Sequence, residues 1–236
     1  MTTTGDQLQQ VRGRIAQACA RAGRDAAGVR LLAVSKTFGP EMVREAYAAG
    51  QRAFGENYVQ EGLDKIAALA DLRAGLEWHC IGPLQSNKTR PVAEQFDWVH
   101  SVDRLKIAQR LSQQRPAGLP PLQVCLQVNI DGGANKSGVA PQDILALARE
   151  VAALPQLALR GLMAIPEPQP DAAAERAVFA QVADLAARLR DALGLPLDTL
   201  SMGMSADLES AIAAGSTMVR VGTAIFGGRP PLAARA

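Results

Sequence analysis

From residue 29 onward, short apolar or β-branched runs alternate with longer stretches patterned at helical spacing, and nothing long interrupts the order. The runs are "VRLLAVS" (29–35), "RAFGE" (52–56), "EWHCIG" (77–82), "DWVHSV" (97–102), "LQVCLQVNI" (122–130), "LRGLMAI" (159–165), "TLSM" (199–202) and "MVRVG" (218–222). Between them lie stretches such as "PEMVREAYAAG", "VDRLKIAQRLSQQ", "PQDILALAREVAAL", "AAAERAVFAQVADLAARLRDAL" and "ADLESAIAAG", whose apolar residues recur every three or four positions. Several runs are continuously apolar, as strands are when helices cover a parallel sheet. Eight such units predict an α/β protein closed as a (β/α)8 TIM barrel. A doubly wound open sheet is the competing arrangement. It usually carries a glycine-rich turn after its first strand, where this chain has Lys36-Thr37-Phe38-Gly39.

Ahead of the barrel, Leu8, Val11, Ile15, Ala18 and Ala22 recur at helical spacing with Cys19 on the same face, predicting an extra N-terminal helix that closes near Gly23. The proline-rich pieces "RPAGLPP" (115–121) and "IPEPQPD" (165–171) fit single loops, so one domain is expected over 1–236. Within it, 1–28 is the N-terminal helix and lead-in, and 229–236 a short tail. The formal charge of +2 leaves no electrostatic footprint for nucleic acid, and a small molecule is the expected partner. Cys19, Cys80 and Cys125 are odd in number and lack a CxxC, which fits a reducing, cytoplasmic setting. No signal-peptide core or membrane span is read, and a monomer is expected. His79 and His100 have no nearby cysteine or carboxylate cluster, so no metal site is predicted.

In a barrel of this kind, chemistry belongs to the C-terminal ends of the strands. The polar residues there are Lys36, Glu56 and Asn57, His79, Ser101 and Asp103, Asn129, Ser201 and Ser205, and Arg220 with Thr223; Met163 and Gly222 stand among them. Lys36 is the one that raises a physical problem, because an ammonium at the end of an apolar strand is costly to desolvate. A lysine pKa of about 10.4 leaves few neutral amines near pH 7, and burial raises that fraction, which is how Schiff-base lysines arise. Snorkelling into water solves the same problem, and Lys36 alone does not decide between them.

The far end of the chain adds a second constellation. "SMGMS" (201–205) precedes a helix for which Ser205 is the expected N-cap, and "RVGTAIFGG" (220–228) follows the eighth strand. Loops after strands seven and eight often hold a phosphate through backbone N–H groups that small residues leave accessible. Ser201, Gly222 and Thr223 stand in that pair of loops, although glycines that only turn the chain look the same. An amine at strand one, a phosphate cradle at strands seven and eight, and Arg220 to face a ring nitrogen describe a site for pyridoxal 5′-phosphate.

At these residues the chain resembles the pyridoxal phosphate homeostasis protein family, single-domain relatives of the alanine racemase N-terminal barrel. The matching motifs are "AVSKT" (33–37), "FGENYVQE" (54–61), "WHCIGPLQSNK" (78–88), "GLMAIP" (161–166), "SMGMSADL" (201–208) and "VRVGTAIFG" (219–227), spread over nearly the whole chain. The resemblance implies a fold-type III pyridoxal phosphate barrel in which Lys36 carries the cofactor as an internal aldimine. It also implies that Ser201, Gly222 and Thr223 hold the phosphate, that Arg220 meets the pyridine nitrogen, and that Asn57, His79 and Met163 lie near the ring. One departure stands out: the family usually has a glutamate three residues before the lysine after strand five, and this chain has Gly133 before Lys136. The ion pair that glutamate would make is expected to be absent, which weakens Lys136 as a secondary cofactor contact.

Two functions from different classes follow. A racemase needs a second base opposite the lysine, commonly a tyrosine supported by a further β-rich domain. Tyr58 is the sole candidate here, since Tyr47 falls inside a helix, and the chain leaves no room for that domain. A carrier that holds the cofactor and delivers it to apo-enzymes needs neither. A low-activity racemase is the alternative. Lys88 and Arg90 in "SNKTR" (86–90) read either as attractors for an incoming phosphate or as a solvated helix start.

Overall fold

The structure is a computed structural model and describes residues 3–133 and 136–228; the tail expected at 229–236 lies outside them. Parallel strands β1 (Arg30–Val34), β2 (Ala53–Glu56), β3 (Glu77–Cys80), β4 (Trp98–Val102), β5 (Leu122–Gln127), β6 (Leu157–Met163), β7 (Thr199–Ser201) and β8 (Met218–Val221) close in chain order. The seam is the β1–β8 pairing, where Leu32 lies beside Arg220 and Ala33 beside Val221. Helices α1 (Thr4–Arg21), α2 (Pro40–Ala48), α3 (Val59–Ala68), α4 (Thr89–Gln95), α5 (Leu105–Gln114), α6 (Ile144–Ala152), α7 (Ala172–Leu193), α8 (Leu208–Ala213) and α9 (Thr223–Phe226) surround it. None of the described helices is long and apolar enough to cross a membrane.

Strand alternation sorts the side chains into two sets. Leu31, Ala33, Phe54, Trp78, Val99, Val124, Leu126, Leu200, Val219 and Val221 face outward and form one core with the buried faces of the helices. The lumen holds two small apolar groups, Leu32, Val34, Ala53, Ile81 and Met218 in one, and Trp98, Cys125 and Met163 in the other. His79, His100, Ser201 and Arg220 are buried alongside them. Because both faces of each strand are covered, the strands read as continuous apolar runs.

The N-terminal helix forms as its pattern predicts. Thr3 and Asp6 make a reciprocal capping box, Leu8, Val11, Ile15, Ala18 and Cys19 are buried, and Gly23 at φ +63° lets the chain turn away. α1 packs against α2, α8 and α9 and so covers the barrel seam. Its Arg14 pairs with Glu209 at 2.9 Å and donates to the Ser205 carbonyl at 3.0 Å, tying α1 to the loop after β7.

Two local expectations are corrected. The fifth strand stops at Gln127 rather than 130, because the chain doubles back and Val139 N donates to Gln127 O while Asn129 N donates to Val139 O. That approach requires Gly138, at φ +123°, where a Cβ would lie 2.7 Å from Asn129 N. Ser205 does not cap α8: residues 205–207 form a turn, Asp207 occupies the N-cap position, and its Oδ1 accepts from Met204 N at 2.6 Å.

Candidate functional site at the C-terminal mouth

Lys36 is the second residue past β1, half-buried, and continues the inward parity of Leu32 and Val34 toward the mouth. The residues on either side of it are held from below. Ser35 Oγ donates to Glu56 Oε1 at 2.5 Å, and Lys65 Nζ, from α3, donates at 2.7 Å to each of Ser35 O, Glu56 Oε1 and Glu61 Oε1. Glu61 also accepts the N–H of Thr37, a non-glycine residue at φ +71°. Such a conformation costs about 1–3 kcal/mol and persists only where its surroundings over-determine it. Burial pushes the Glu56 carboxyl up, against the opposing pull of Lys65 and Ser35.

On the opposite side of the mouth, Gly222 lies against β1. A Cβ built there would be 3.1 Å from the Val34 carbonyl oxygen, two residues before Lys36. Gly222 caps α9 without a side chain, so the Thr223 and Ala224 N–H groups at the helix start have no intrahelical acceptor. Thr223 Oγ1 donates to Ser205 Oγ at 3.3 Å, which joins the loops after β7 and β8. Arg220 sits deeper, 4 % exposed, its Nη1 donating to Ser201 Oγ at 2.8 Å and its Nη2 to Ala164 O at 2.9 Å. Burial pushes its pKa down to about 10, with Asp207 acting in the other direction, so it stays a cation and a pure donor.

The remaining sequence-predicted residues divide. Asn57 follows β2 at the same mouth, half-buried, with its Oδ1 buried and unpartnered. Its backbone is pressed against Gly82, where a Cβ would lie 2.1 Å from Asn57 O. Ser201 is at the end of β7, but its hydroxyl engages Arg220 and His100 inside the barrel, away from the Ser205–Thr223 pair. His79 and Met163 are fully buried in the lumen: Met163 packs with Trp98 and Cys125, and His79 stacks on Trp98 with ring centroids 5.3 Å apart. Lys36, Asn57, Ser205, Gly222 and Thr223 are therefore brought to the mouth, with Arg220 and Ser201 beneath them.

The matching family model is the alanine racemase N-terminal domain, over residues 7–230. The pyridoxal phosphate homeostasis protein of Pseudomonas aeruginosa is 64 % identical over 229 residues, covering 97 % of both chains. The chain belongs to the pyridoxal phosphate homeostasis protein family. The Escherichia coli protein of that name is 55 % identical over 97 % of this chain and 98 % of its own. A solved structure of PipY from Synechococcus elongatus, described as having PLP (pyridoxal phosphate) bound, superposes with a TM-score of 0.80 at 44 % identity, covering 90 % of this chain and all of that one.

Within this family member, sequence reading missed the Lys65–Glu56–Glu61 cluster. The signal available was Glu61 and Lys65 at i,i+4, with Lys65 on the same face of α3 as the buried Gly62 and Ile66. Lys136 finds other carboxylates. Although Gly133 replaces the usual glutamate, Lys136 is paired with Asp131 at 2.8 Å and Glu167 at 3.0 Å and donates to Ile165 O. Burial lowers its proton affinity, but the two carboxylates outweigh that and raise its pKa, keeping the amine protonated. Lys88 and Arg90 are exposed, and Arg90 approaches Glu94 only to 3.8 Å.

Proposed function

We propose that the protein binds pyridoxal 5′-phosphate as a Schiff base on Lys36, holds it for intracellular cofactor homeostasis and delivers it to apo-enzymes. The observation that carries this reading is the convergence at one barrel mouth of Lys36, with the chain on both sides of it braced, and the Gly222–Thr223–Ser205 cradle packed on the same strand. The names of the relatives and the PLP in PipY support it.

The residues present fit the cofactor. Pyridoxal 5′-phosphate brings an aldehyde, a phosphate dianion and an electron-withdrawing ring. The cradle offers backbone N–H groups and hydroxyls to a phosphate, and the Gly222 site would be filled by a Cβ. The orphaned Asn57 Oδ1 is a polar group awaiting a partner. Lys36 would supply, in its neutral form, the primary amine that the cofactor's aldehyde needs. Arg220 can only donate a hydrogen bond, so facing a ring nitrogen it would favour the unprotonated form and weaken the ring as an electron sink. That suits holding more than carbanion chemistry. Tyr58, the sole candidate second base, is 61 % exposed at the start of α3 rather than held over the site.

Loaded protein incubated with single L-amino acids is expected to give no sustained racemisation by chiral analysis, while an added apo-enzyme recovers activity. Sustained turnover that disappears in Lys36→Ala would instead make the protein a racemase.

A further inference from the structure

We propose that Glu77, His79, His100 and Ser201 form a positioning relay that holds Arg220 from the opposite mouth of the barrel through a chain of hydrogen bonds with a single direction. The contacts run without a gap through the lumen. Glu77 Oε1 meets His79 Nε2 at 2.6 Å, His79 Nδ1 meets His100 Nε2 at 2.9 Å, His100 Nδ1 meets Ser201 Oγ at 2.8 Å, and Ser201 Oγ accepts from Arg220 Nη1 at 2.8 Å. Both imidazoles are fully buried, and the His79 ring is fixed by stacking on Trp98 within 8° of parallel. Glu77 is the first residue of β3, at the N-terminal end of the barrel, and Arg30 Nη1 meets the same Oε1 at 2.8 Å.

The two ends dictate the proton arrangement. A guanidinium only donates and a carboxylate only accepts. Glu77 therefore takes the Nε2–H of His79, which leaves His79 Nδ1 to accept from His100 Nε2–H. His100 Nδ1 must then accept from the Ser201 hydroxyl, whose oxygen accepts from Arg220. With both histidines neutral, one direction satisfies every contact, and each ring is the Nε2–H tautomer. An extra proton on His79 would set two N–H donors against each other across the 2.9 Å contact if His100 kept its tautomer, and one on His100 would do the same to the serine if Ser201 kept its orientation.

The charges around the relay agree with this. Burial pushes both histidines down, His100 further, and the cations Arg30 and Arg220 add to the effect on His100. Around His79, Glu77 and Asp97 pull the other way and Arg30 does not, with burial outweighing the carboxylates. Burial also opposes the charge on Glu77, but His79 and Arg30 more than offset it and bring its pKa to about 2. Glu77 thus remains an acceptor throughout the neutral range. The relay supplies Arg220 with an oriented chain of dipoles ending on a carboxylate that it does not touch.

The relay stands on the geometry alone, whereas its effect on a bound ring rests on the function proposed above, and the experiment separates them. The chain has only His79 and His100, so long-range 15N correlation spectra of the cofactor-free protein resolve both. The expected result is a pyridine-like Nδ1 and a pyrrole-like Nε2 in each ring, unchanged between about pH 5 and 8. A pyrrole-like Nδ1 in either, or titration near the free-histidine pKa of about 6.5, overturns the relay. In loaded protein, Glu77→Gln and His100→Phe are each expected to move the pH midpoint of the cofactor absorbance by at least about half a unit. If the wild type binds cofactor and a folded Glu77→Gln leaves that midpoint in place, the coupling to Arg220 is refuted. If the spectra are as expected and no cofactor binds, the function proposed above fails and the relay stands.

Discussion

Protein carrying Lys36→Ala is expected to remain colourless after incubation with pyridoxal 5′-phosphate, whereas the wild type gains a band near the blue edge of the visible. The effect is all-or-none because the band belongs to a C=N bond that needs a primary amine, and alanine has none. Lys36→Arg is expected to fail equally, since a guanidinium retains the charge but not the neutral amine. Folding should change by about 1 kcal/mol, because the side chain is half-buried at the mouth and lies outside the apolar core. Absorbance after gel filtration, with circular dichroism on the same sample, checks both parts. A wild-type-like band in either variant would remove Lys36 from the chemistry.

Lys65→Met is expected to be the most destabilising single change at the site, by about 3–5 kcal/mol in urea unfolding. Lys65 and Glu56 are both buried, and removing the cation leaves a carboxylate with Oε2 already unpartnered. It also removes one of the two hydrogen bonds that the Ser35 carbonyl accepts, leaving the one from Phe38 N, and loosens Glu61, which holds Thr37 N, so the turn carrying Lys36 loses part of its brace. The pH dependence has a definite sign. Glu56 has its pKa raised in the folded state, so the native protein takes up its proton more readily than the unfolded chain, and the group's contribution to stability falls as pH rises. Without Lys65 that gap widens. The deficit relative to wild type should therefore shrink on going from pH 7.5 to pH 5, and adding Glu56→Gln to Lys65→Met should recover part of it at pH 7.5. Equal deficits at both pH values would show that the cluster acts through packing alone.

The barrel was legible because its strands are apolar on both faces and each is followed by a helix-patterned stretch, so period and order point to one closure. Lys36, Gly222 and Thr223 were legible for a related reason: they follow strands, and strand ends share one mouth. The interior was not. His79, His100 and Ser201 come from β3, β4 and β7, and β7 is adjacent to neither of the others; only the closed lumen brings them together. Their inward parity was readable, but partners across a barrel follow from its radius and stagger, which no local pattern encodes. That the Ser201 hydroxyl meets Arg220 and His100 was hidden for the same reason. Ser205 was misread as a cap because residues 205–207 form a turn that starts α8 two residues later than the pattern suggests.

Borohydride reduction of the loaded protein fixes the cofactor to whichever amine holds it, and peptide mass mapping then finds that amine. The account predicts one stoichiometric label, on Lys36, with Lys136 unlabelled because Asp131 and Glu167 keep it protonated. A stoichiometric label on Lys136 or another lysine, or none at all, would contradict it.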